Sequence, residues 1–240
     1  MSLREFLDKY APANLAEGSV VAITSKVVAL CEGRVVPQGE ISKRELVRRE
    51  ADFYLDPKET NGFEFFLTIK NGILIQVAGI DESNAGDNYV LWPVDLQASA
   101  NEAREFLAKK FGLKKLGVII TDSKTTPLRW GVTGVGLAGS GFLALNDHRG
   151  RKDLYGRELK VSQSSVLDAL AATAVFEMSE ADEAQPIAIM EDFSENQVKW
   201  TGRNPSEEEL KELEINTSID IYGQILEAVT WLEGEGGRTS

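Results

Sequence analysis

The sequence predicts a mixed α/β (α+β) protein that has no Rossmann fold, and three features indicate this class. Short apolar runs rich in β-branched residues, at 20–24 and 117–121, predict buried strands. The dipeptide of Asn71 and Gly72 lies between two further apolar runs and predicts a β-hairpin. Apolar residues at helical spacing over 99–111 predict a helix. Because these elements do not alternate regularly, repeated strand–helix–strand units are not expected.

Amphipathic, charged or alanine-rich stretches predict further helices, and short apolar runs predict further strands. Further predicted helices are those at 1–10, 42–55, 165–178 and 205–213, and further predicted strands are those at 63–69, 73–77 and 187–190. Ser206, which is followed three residues later by Glu209, predicts an N-cap for the acidic helix. The glycine-rich residues 233–240 are expected to fray.

Composition restricts both the class of protein and the kind of site. The chain has 240 residues, of which 42% are hydrophobic. This globular composition fits one domain over 1–240, with a core at about 20–192 and an acidic C-terminal extension at 193–240. Because Cys31 and His148 are the only cysteine and histidine, an internal disulfide is impossible and a zinc site is not expected. A metal site must therefore use oxygen ligands, which favours magnesium, manganese or calcium.

Neither a membrane nor a nucleic acid is expected as a partner. No apolar run approaches the roughly 20 residues of a membrane span, and the N-terminus lacks the pattern of a signal peptide, so we expect a cytoplasmic protein. The net charge of −12 argues against general nucleic-acid binding. Residues 109–160 nevertheless contain 11 basic and 4 acidic residues. This segment could attract an anionic ligand, or it could be an ordinary basic surface.

Acidic residues follow two of the predicted strands. Asp81 and Asn84 lie in the segment 78–84, after the hairpin, where a carboxylate and an amide can bind a metal or a ligand. The same residues also suit an Asx-rich turn. Asp122 and Ser123 follow the strand that begins near 117, and ligands in open α/β sheets gather beyond the carboxyl ends of strands. An aspartate there can hold magnesium bound to phosphates, although a helix N-cap or a turn is an equal alternative.

Two further segments contain functional residue types. Residues 134–139 match G-x-G-x-x-G, but more glycines follow, which favours a glycine-rich strand over a dinucleotide-binding turn. No P-loop pattern is present in the sequence. The arginines of residues 146–157 could bind a carboxylate or a phosphate, or they could lie in a solvated loop. We interpret His148 as a surface residue and Cys31 as a small packing residue.

Five segments occur in an order that is typical of a known family. They are SKVVALCEGR at 25–34, AGIDESN at 78–84, VIITDS at 118–123, RWG at 129–131 and DLYGREL at 153–159. Together they resemble the gamma-glutamyl ligases that elongate the glutamate tail of the deazaflavin coenzyme F-420. The resemblance covers roughly residues 20–192. Residues 123–134 and the tail around 203–205 are closer still to a bacterial branch labelled as folate-metabolism gamma-glutamate ligases.

The resemblance implies the family's mixed α/β fold, an intertwined homodimer, and a nucleoside triphosphate (GTP or ATP) with Mg²⁺ or Mn²⁺, two ions in the family. The metal-binding aspartate of the family corresponds to Asp81, and its nucleotide-contacting asparagine corresponds to Asn84. The pair that binds both metals corresponds to Asp122 and Ser123. A second-metal position corresponds to Glu180.

Nucleotide contacts are implied near the N-terminus and in the basic segment. The family's nucleotide-contacting stretch corresponds to Thr24 and Ser25, and we expect Lys26 to bind phosphate beside them. Arg129 is a further candidate for the phosphates, and we assign catalysis to it together with Asp81 and Asp122.

Three positions depart from the family pattern. Ser179 stands where the family usually has glycine, in the segment that precedes Glu180. Ser123 replaces the usual threonine, which keeps the hydroxyl group. Val77 precedes the Ala78 motif where the coenzyme ligases have asparagine or a similar residue.

The implied reaction joins L-glutamate to an acid acceptor. The acid and the nucleoside triphosphate form an acyl phosphate, and the amine of glutamate then attacks it. A folate-like, a deazaflavin-like and a peptide acceptor all remain open. A metal-dependent phosphohydrolase, and a nucleotide-binding module without catalysis, are the alternative functions.

Overall fold

The computed structural model describes residues 1–60 and 63–237, and it confirms the mixed α/β class. The helices are α1 (Leu3–Tyr10), α2 (Ser25–Glu32), α3 (Lys43–Glu50), α4 (Leu96–Phe111), α5 (Val166–Met178), α6 (Glu207–Lys211) and α7 (Gly223–Leu226), with a 3₁₀ turn at Val77–Gly79. The strands are β1 (Ser19–Thr24), β2 (Val35–Pro37), β3 (Phe53–Tyr54), β4 (Lys58–Thr60), β5 (Phe63–Phe65), β6 (Leu67–Lys70), β7 (Ile73–Gln76), β8 (Asn88–Val90), β9 (Leu116–Thr125), β10 (Val132–Ser140), β11 (Leu145–Asp147), β12 (Gln163–Ser165), β13 (Ile187–Met190) and β14 (Leu232–Glu233). In the described ranges no helix combines the length and the apolar character needed to cross a membrane.

The described chain divides into two compact units. Unit 1 consists of Met1–Ser25, Asp95–Ser123 and Thr133–Leu213. Unit 2 consists of Lys26–Val94, Lys124–Val132 and Glu214–Ser240. The single domain expected over 1–240 stays a prediction.

Unit 1 is built around a four-stranded sheet with the order β10-β9-β1-β13. Strand β1 is parallel to β9 and antiparallel to β13. Helix α5 packs on one face of this sheet, in a core that includes Ala22, Ile119 and Leu170. A Cβ atom on Gly134 of β10 would lie 2.2 Å from the carbonyl oxygen of Ala171 in α5. The glycine-rich segment is therefore a strand under close helix packing, as predicted, and not a dinucleotide-binding turn.

Unit 2 contains a sheet with the order β14-β3-β6-β7 and the strand pairs β2-β8 and β4-β5. Its β6–β7 hairpin confirms the prediction from Asn71 and Gly72, whose φ angles of 51° and 72° suit a type I′ turn. Glu50 is buried at the end of α3 and pairs with Arg34 at 2.8 Å and with Lys70 at 2.5 Å. Burial lowers the pKa of the Lys70 ammonium, and the Glu50 carboxylate opposes this shift.

Three expectations for unit 2 are wrong. The helix predicted over 42–55 ends at Glu50, because the backbone N–H of Asp52 bonds to Ile69 and β3 then joins the sheet. The strand predicted over 63–69 is two strands, β5 and β6, with different partners. The tail predicted to fray from 233 is bound as far as 237, and its last three residues lie outside the described part.

The bound tail satisfies backbone groups at the end of α3. Strand β14 pairs with β3, and the N–H groups of Gly236 and Gly237 then donate to the carbonyl oxygens of Ala51 and Arg49. Carbonyl groups at a helix C-terminus lack partners within the helix. The tail therefore supplies hydrogen bonds that the end of α3 needs.

The observed ends of several helices agree with those predicted from capping residues in the sequence. Gly112 ends α4 in the left-handed conformation, with φ of 70°, as its position predicts. Ser206 and Glu209 form the predicted capping box of α6. The predicted helices at 1–10 and 165–178 and the predicted strand at 187–190 are confirmed within one or two residues at either end.

Candidate functional site

Strand β1 passes directly into helix α2, at the residues predicted to contact nucleotide. Thr24 ends β1, Ser25 begins α2, and Lys26 follows in the first helical turn. The backbone N–H groups of that turn lack intrahelical partners and lie at the positive end of the helix dipole. Because no acidic side chain lies in this turn, it has the character of a phosphate-binding helix N-terminus.

Asp122 and Ser123 lie inside strand β9, which continues to Thr125. The sequence placed them after the strand, and this expectation is wrong because β9 continues as a neighbour of β10 beyond the apolar run. Consecutive side chains of a strand point to opposite faces. Ile119 faces α5, so Ser123 lies on the α5 face and Asp122 on the other. The two residues therefore suit two different ions better than one shared ion.

Glu180 lies beside Ser123 because α5 ends at the same edge of the sheet. The helix stops at Met178, and Ser123 Oγ donates to Glu180 Oε2 across 3.4 Å. Between them Ser179 has φ 64° and ψ −178°, a region that is populated almost only by glycine. This is the position where the family usually has glycine. Its hydroxyl group donates to Glu183 at 2.8 Å, which partly offsets the strain.

In unit 2, a strained turn positions the segment that contains Asp81. Val77, Ala78 and Gly79 have φ angles of 48°, 54° and 70°. Positive φ is unfavourable for valine and alanine, so the surroundings must impose it. Thr68 Oγ1 accepts a hydrogen bond from the Ala78 N–H at 2.9 Å, and a Cβ atom on Gly79 would lie 2.1 Å from the Trp92 ring. Packing and this hydrogen bond hold the turn.

Asp81 and Lys26 are in direct contact. Lys26 Nζ lies 2.7 Å from Asp81 Oδ2, and it also donates to the carbonyl oxygen of Ser83 at 2.8 Å. The other carboxylate oxygen of Asp81 accepts from the Ser83 N–H at 2.7 Å, so the Asx turn expected as the alternative is present. Asn84 follows with φ of 51°. The structure thus brings together a predicted metal ligand and a predicted phosphate ligand.

Arg129 lies in the segment of the chain that connects β9 to β10. Its neighbours Leu128 and Trp130 are fully exposed, and Leu128 has a positive φ of 60°. The three residues line a depression of about 340 Å³. Within the described residues the Arg129 guanidinium has no hydrogen bond or ion pair, so its predicted catalytic role has no geometric support beyond its accessibility.

The arginine-rich segment forms a surface hairpin closed by β11 and β12. His148 contacts Ser164 Oγ and Arg151 at 3.1 Å each, which agrees with a surface role. Asp147 forms a bidentate pair with Arg149, with contacts of 2.6–3.0 Å. This pairing lowers the pKa of the Asp147 carboxyl to about 2.

The oxygen atoms of unit 1 fit a hard divalent cation. In the described part of the chain, no three His, Cys, Asp or Glu side chains lie together as a metal site made of protein groups alone. Mg²⁺ needs no such site, because it commonly binds one or two carboxylates and completes its shell with water and substrate phosphates. Glu180 and Ser123 supply a carboxylate and a hydroxyl in contact. Asp122 is the residue before Ser123 in the chain, and its Oδ1 accepts a hydrogen bond from the Ser123 N–H at 2.8 Å.

The site prediction omitted Thr121, which lies beside two of the predicted residues. It pairs in register with Thr24 across the parallel strands β1 and β9, and it directly precedes Asp122. A polar residue at the end of an apolar strand run was visible in the sequence. Its burial and its neighbour on β1 were not, because they depend on how the strands pair.

Comparison with known proteins gives a consistent result. A family model described as F420-0:gamma-glutamyl ligase matches residues 3–192. Three relatives named coenzyme F420:L-glutamate ligase are similar over most of their length. The protein from Methanopyrus kandleri is 38% identical over 196 residues, which are 74% of this chain and 76% of that protein. Those from Methanocaldococcus jannaschii and Methanococcus maripaludis (strain C6) are 32% and 34% identical, and each match covers 79% of this chain and 80% of the relative. None of these names mentions folate.

Proposed function

Because this chain belongs to the family of F420-0:gamma-glutamyl ligases, as its five ordered segments predicted, we propose that it joins L-glutamate to an acid acceptor at the expense of a nucleoside triphosphate. The acceptor carboxylate attacks the γ-phosphorus, which gives an acyl phosphate and a nucleoside diphosphate. The glutamate amine then attacks the acyl carbon, loses a proton, and expels inorganic phosphate as the amide forms. Phosphoryl transfer of this kind depends mainly on positioning and on charge neutralisation.

The contact between Ser123 and Glu180, with Asp122 adjacent, is the observation that best supports this proposal. Two carboxylates and a hydroxyl at one edge of a sheet suit Mg²⁺ or Mn²⁺. Such a cation would offset charge between phosphate oxygens during transfer. We assign Asp122 to one ion and Ser123 with Glu180 to the other, because strand alternation places them on opposite faces.

Thr24, Ser25 and Lys26 are proposed to bind the phosphates. The first turn of α2 offers backbone N–H donors, and Lys26 adds a positive charge. This arrangement would replace the P-loop that the sequence lacks. The choice between GTP and ATP rests on base contacts and stays open.

Asp81, Asn84 and Arg129 are the remaining proposed ligands. Asp81 offers a carboxylate to a cation, and Asn84 offers an amide to the nucleotide. Arg129 would bind an anionic group of the acceptor or of the acyl phosphate, for which its accessible guanidinium is suited.

The three relatives are named for coenzyme F420, so we propose a deazaflavin-type acceptor with a free carboxyl group. The folate acceptor has no support from these relatives. The gamma linkage is proposed on the same family grounds.

Nucleotide turnover separates this function from its alternatives. A ligase releases phosphate from GTP or ATP over many turnovers only when both L-glutamate and an acid acceptor are present. A phosphohydrolase releases phosphate without them, and a module without catalysis releases none under any condition. Phosphate release should be measured with each substrate omitted in turn, with product mass as the second readout. Turnover that is unaffected by omitting glutamate would reject the proposal.

A homodimer is proposed from the family and from exposed apolar side chains. Leu128 and Trp130 are fully exposed, and Leu154 and Tyr155 of the surface hairpin are nearly so. Contiguous exposed apolar patches commonly mark interaction surfaces, Leu128 and Trp130 line one depression, and a second copy of the chain is the proposed occupant. Light scattering at micromolar concentration tests this, since a mass near 26.4 kDa would indicate a monomer. The cytoplasmic location stays a prediction.

A further inference from the structure

The hydroxyl group of Thr121 is buried, and in the part of the chain that the structure describes it has no hydrogen-bond partner. The residue has 0% exposure. Asn146 Oδ1 is the other such side-chain atom in the described part, but it lies at β11. A buried polar group without a partner lowers stability and requires an explanation.

Strand geometry places Thr121 on the face that holds Ser123 and Glu180. Side chains alternate along β9, so Thr121 shares the face of Ile119 and Ser123. Ile119 packs in the α5 core, and Glu180 follows the end of α5 and contacts Ser123. Thr24, in register on β1, adds a half-buried hydroxyl beside it.

Thr68 is a second buried threonine, and its hydroxyl group forms hydrogen bonds within the protein. Thr68 also has 0% exposure, but its Oγ1 donates to Ile75 at 2.6 Å and accepts from Ala78 at 2.9 Å. Valine has nearly the same shape as threonine. It would therefore fill the Thr121 position at lower cost, whereas at Thr68 it would break two hydrogen bonds.

We propose that Thr121 is a positioning residue whose hydroxyl donates a hydrogen bond to the Glu180 carboxylate when Glu180 holds a divalent cation. This inference rests on the proposed function, which makes Glu180 a metal ligand. Carboxylates that bind metals are normally oriented by hydrogen bonds from neighbouring groups, and losing such a group typically weakens metal binding about 10–100-fold. The cost of the unpartnered hydroxyl is offset once that bond forms.

The test compares Thr121→Val with wild-type protein by two measurements. Without added metal, Thr121→Val should raise the Tm by about 2–4 °C, since an unsatisfied polar group is removed. In calorimetric titrations with Mn²⁺ and GTP, it should weaken binding roughly 10–100-fold. Thr121→Ser keeps the hydroxyl and should bind near the wild-type level. Thr68→Val is the matched control and should lower the Tm.

Several outcomes would overturn the inference. Unchanged Mn²⁺–GTP affinity in Thr121→Val, or a lower Tm, would show that the hydroxyl has no such role. A further loss of affinity when Thr121→Val is added to Glu180→Ala, which has no side-chain acceptor, would show that the Thr121 hydroxyl does not act through Glu180. If wild-type protein binds neither Mn²⁺–GTP nor Mn²⁺–ATP, the proposed function fails and this inference fails with it. Binding by wild-type protein that Thr121→Val leaves unchanged rejects this inference alone.

Discussion

Lys26 Nζ lies 2.7 Å from Asp81 Oδ2, so a lysine expected to bind phosphate neutralises an aspartate expected to bind metal. Both side chains are only partly exposed, at 23% and 35%. A cation that binds Asp81 must displace the ammonium group, which is then available to a phosphate. If Asp81 binds a cation and Lys26 binds phosphate, as proposed, this pair links the two binding events.

Lys26→Met should therefore change two affinities in opposite directions. Mn²⁺ alone should bind more tightly by up to about 1 kcal/mol, because the competing ion pair is lost. Mn²⁺–GTP should bind roughly tenfold more weakly or worse, because a charge-assisted hydrogen bond to phosphate is lost. Calorimetry with and without nucleotide measures both. Lys115→Met, which removes the exposed ion pair with Glu195, is the control and should change neither affinity. If Lys26→Met changed both affinities in the same direction, Lys26 and the cation would not compete for Asp81.

Triphosphate binding should require metal. Without cations, the carboxylates of Asp122 and Glu180 would face the phosphates. Like charges at close range in a partly dry site repel each other by roughly several kcal/mol. GTP and ATP titrations in chelator should show no binding, and added Mg²⁺ or Mn²⁺ should restore it. Asp122→Asn should remove most of the Mn²⁺–GTP signal, whereas the exposed Asp56→Asn should not. Tight binding in chelator would require the phosphates to lie elsewhere.

Ser179→Gly should stabilise the protein. Ser179 has a backbone conformation that costs non-glycine residues about 1–3 kcal/mol, and its solvent-exposed hydrogen bond to Glu183 offsets only part of this cost. We expect a net gain near 1 kcal/mol and a Tm rise of about 2–4 °C. Ser194→Gly loses a similar side-chain bond, to Gln197 at 2.8 Å, without relieving positive φ, so it should lower the Tm. Equal effects of the two changes would argue against strain at Ser179.

The Asp147 carboxyl should titrate near pH 2 in an NMR experiment. Its folded pKa lies below the ordinary value of 3.8, so its contribution to stability is present above about pH 4 and is lost as the pH falls towards 2. Arg149→Gln removes the main cause and should raise the pKa towards 3.8. Arg151 contacts His148 instead, so Arg151→Gln should leave the Asp147 pKa unchanged. A pKa that stays near 2 in Arg149→Gln would assign the shift to the backbone N–H of residue 149.

Features that depend only on neighbouring residues were predictable from the amino-acid sequence. The Asn71-Gly72 turn, the C-cap at Gly112 and the capping box at Ser206 were all predicted, because each needs only a few adjacent residues. The family was also evident from the sequence, since five segments occur in the expected order. The identities of Asp81 and Asp122 as candidates follow from those segments.

Contacts between residues that are distant in the chain were not predictable in this way. Lys26 and Asp81 are 55 positions apart, and their contact depends on the strained turn at Val77–Gly79, which packing imposes. The end of α3 and the bound tail depend on strand pairing between β3, β6 and β14, which local propensity does not encode. Thr121 became a candidate because pairing between β1 and β9 buries its hydroxyl, which has no hydrogen-bond partner among residues 1–60 and 63–237. All three features depend on long-range contacts, which are selected by burial and by hydrogen-bond satisfaction across the whole unit and not by neighbouring residues.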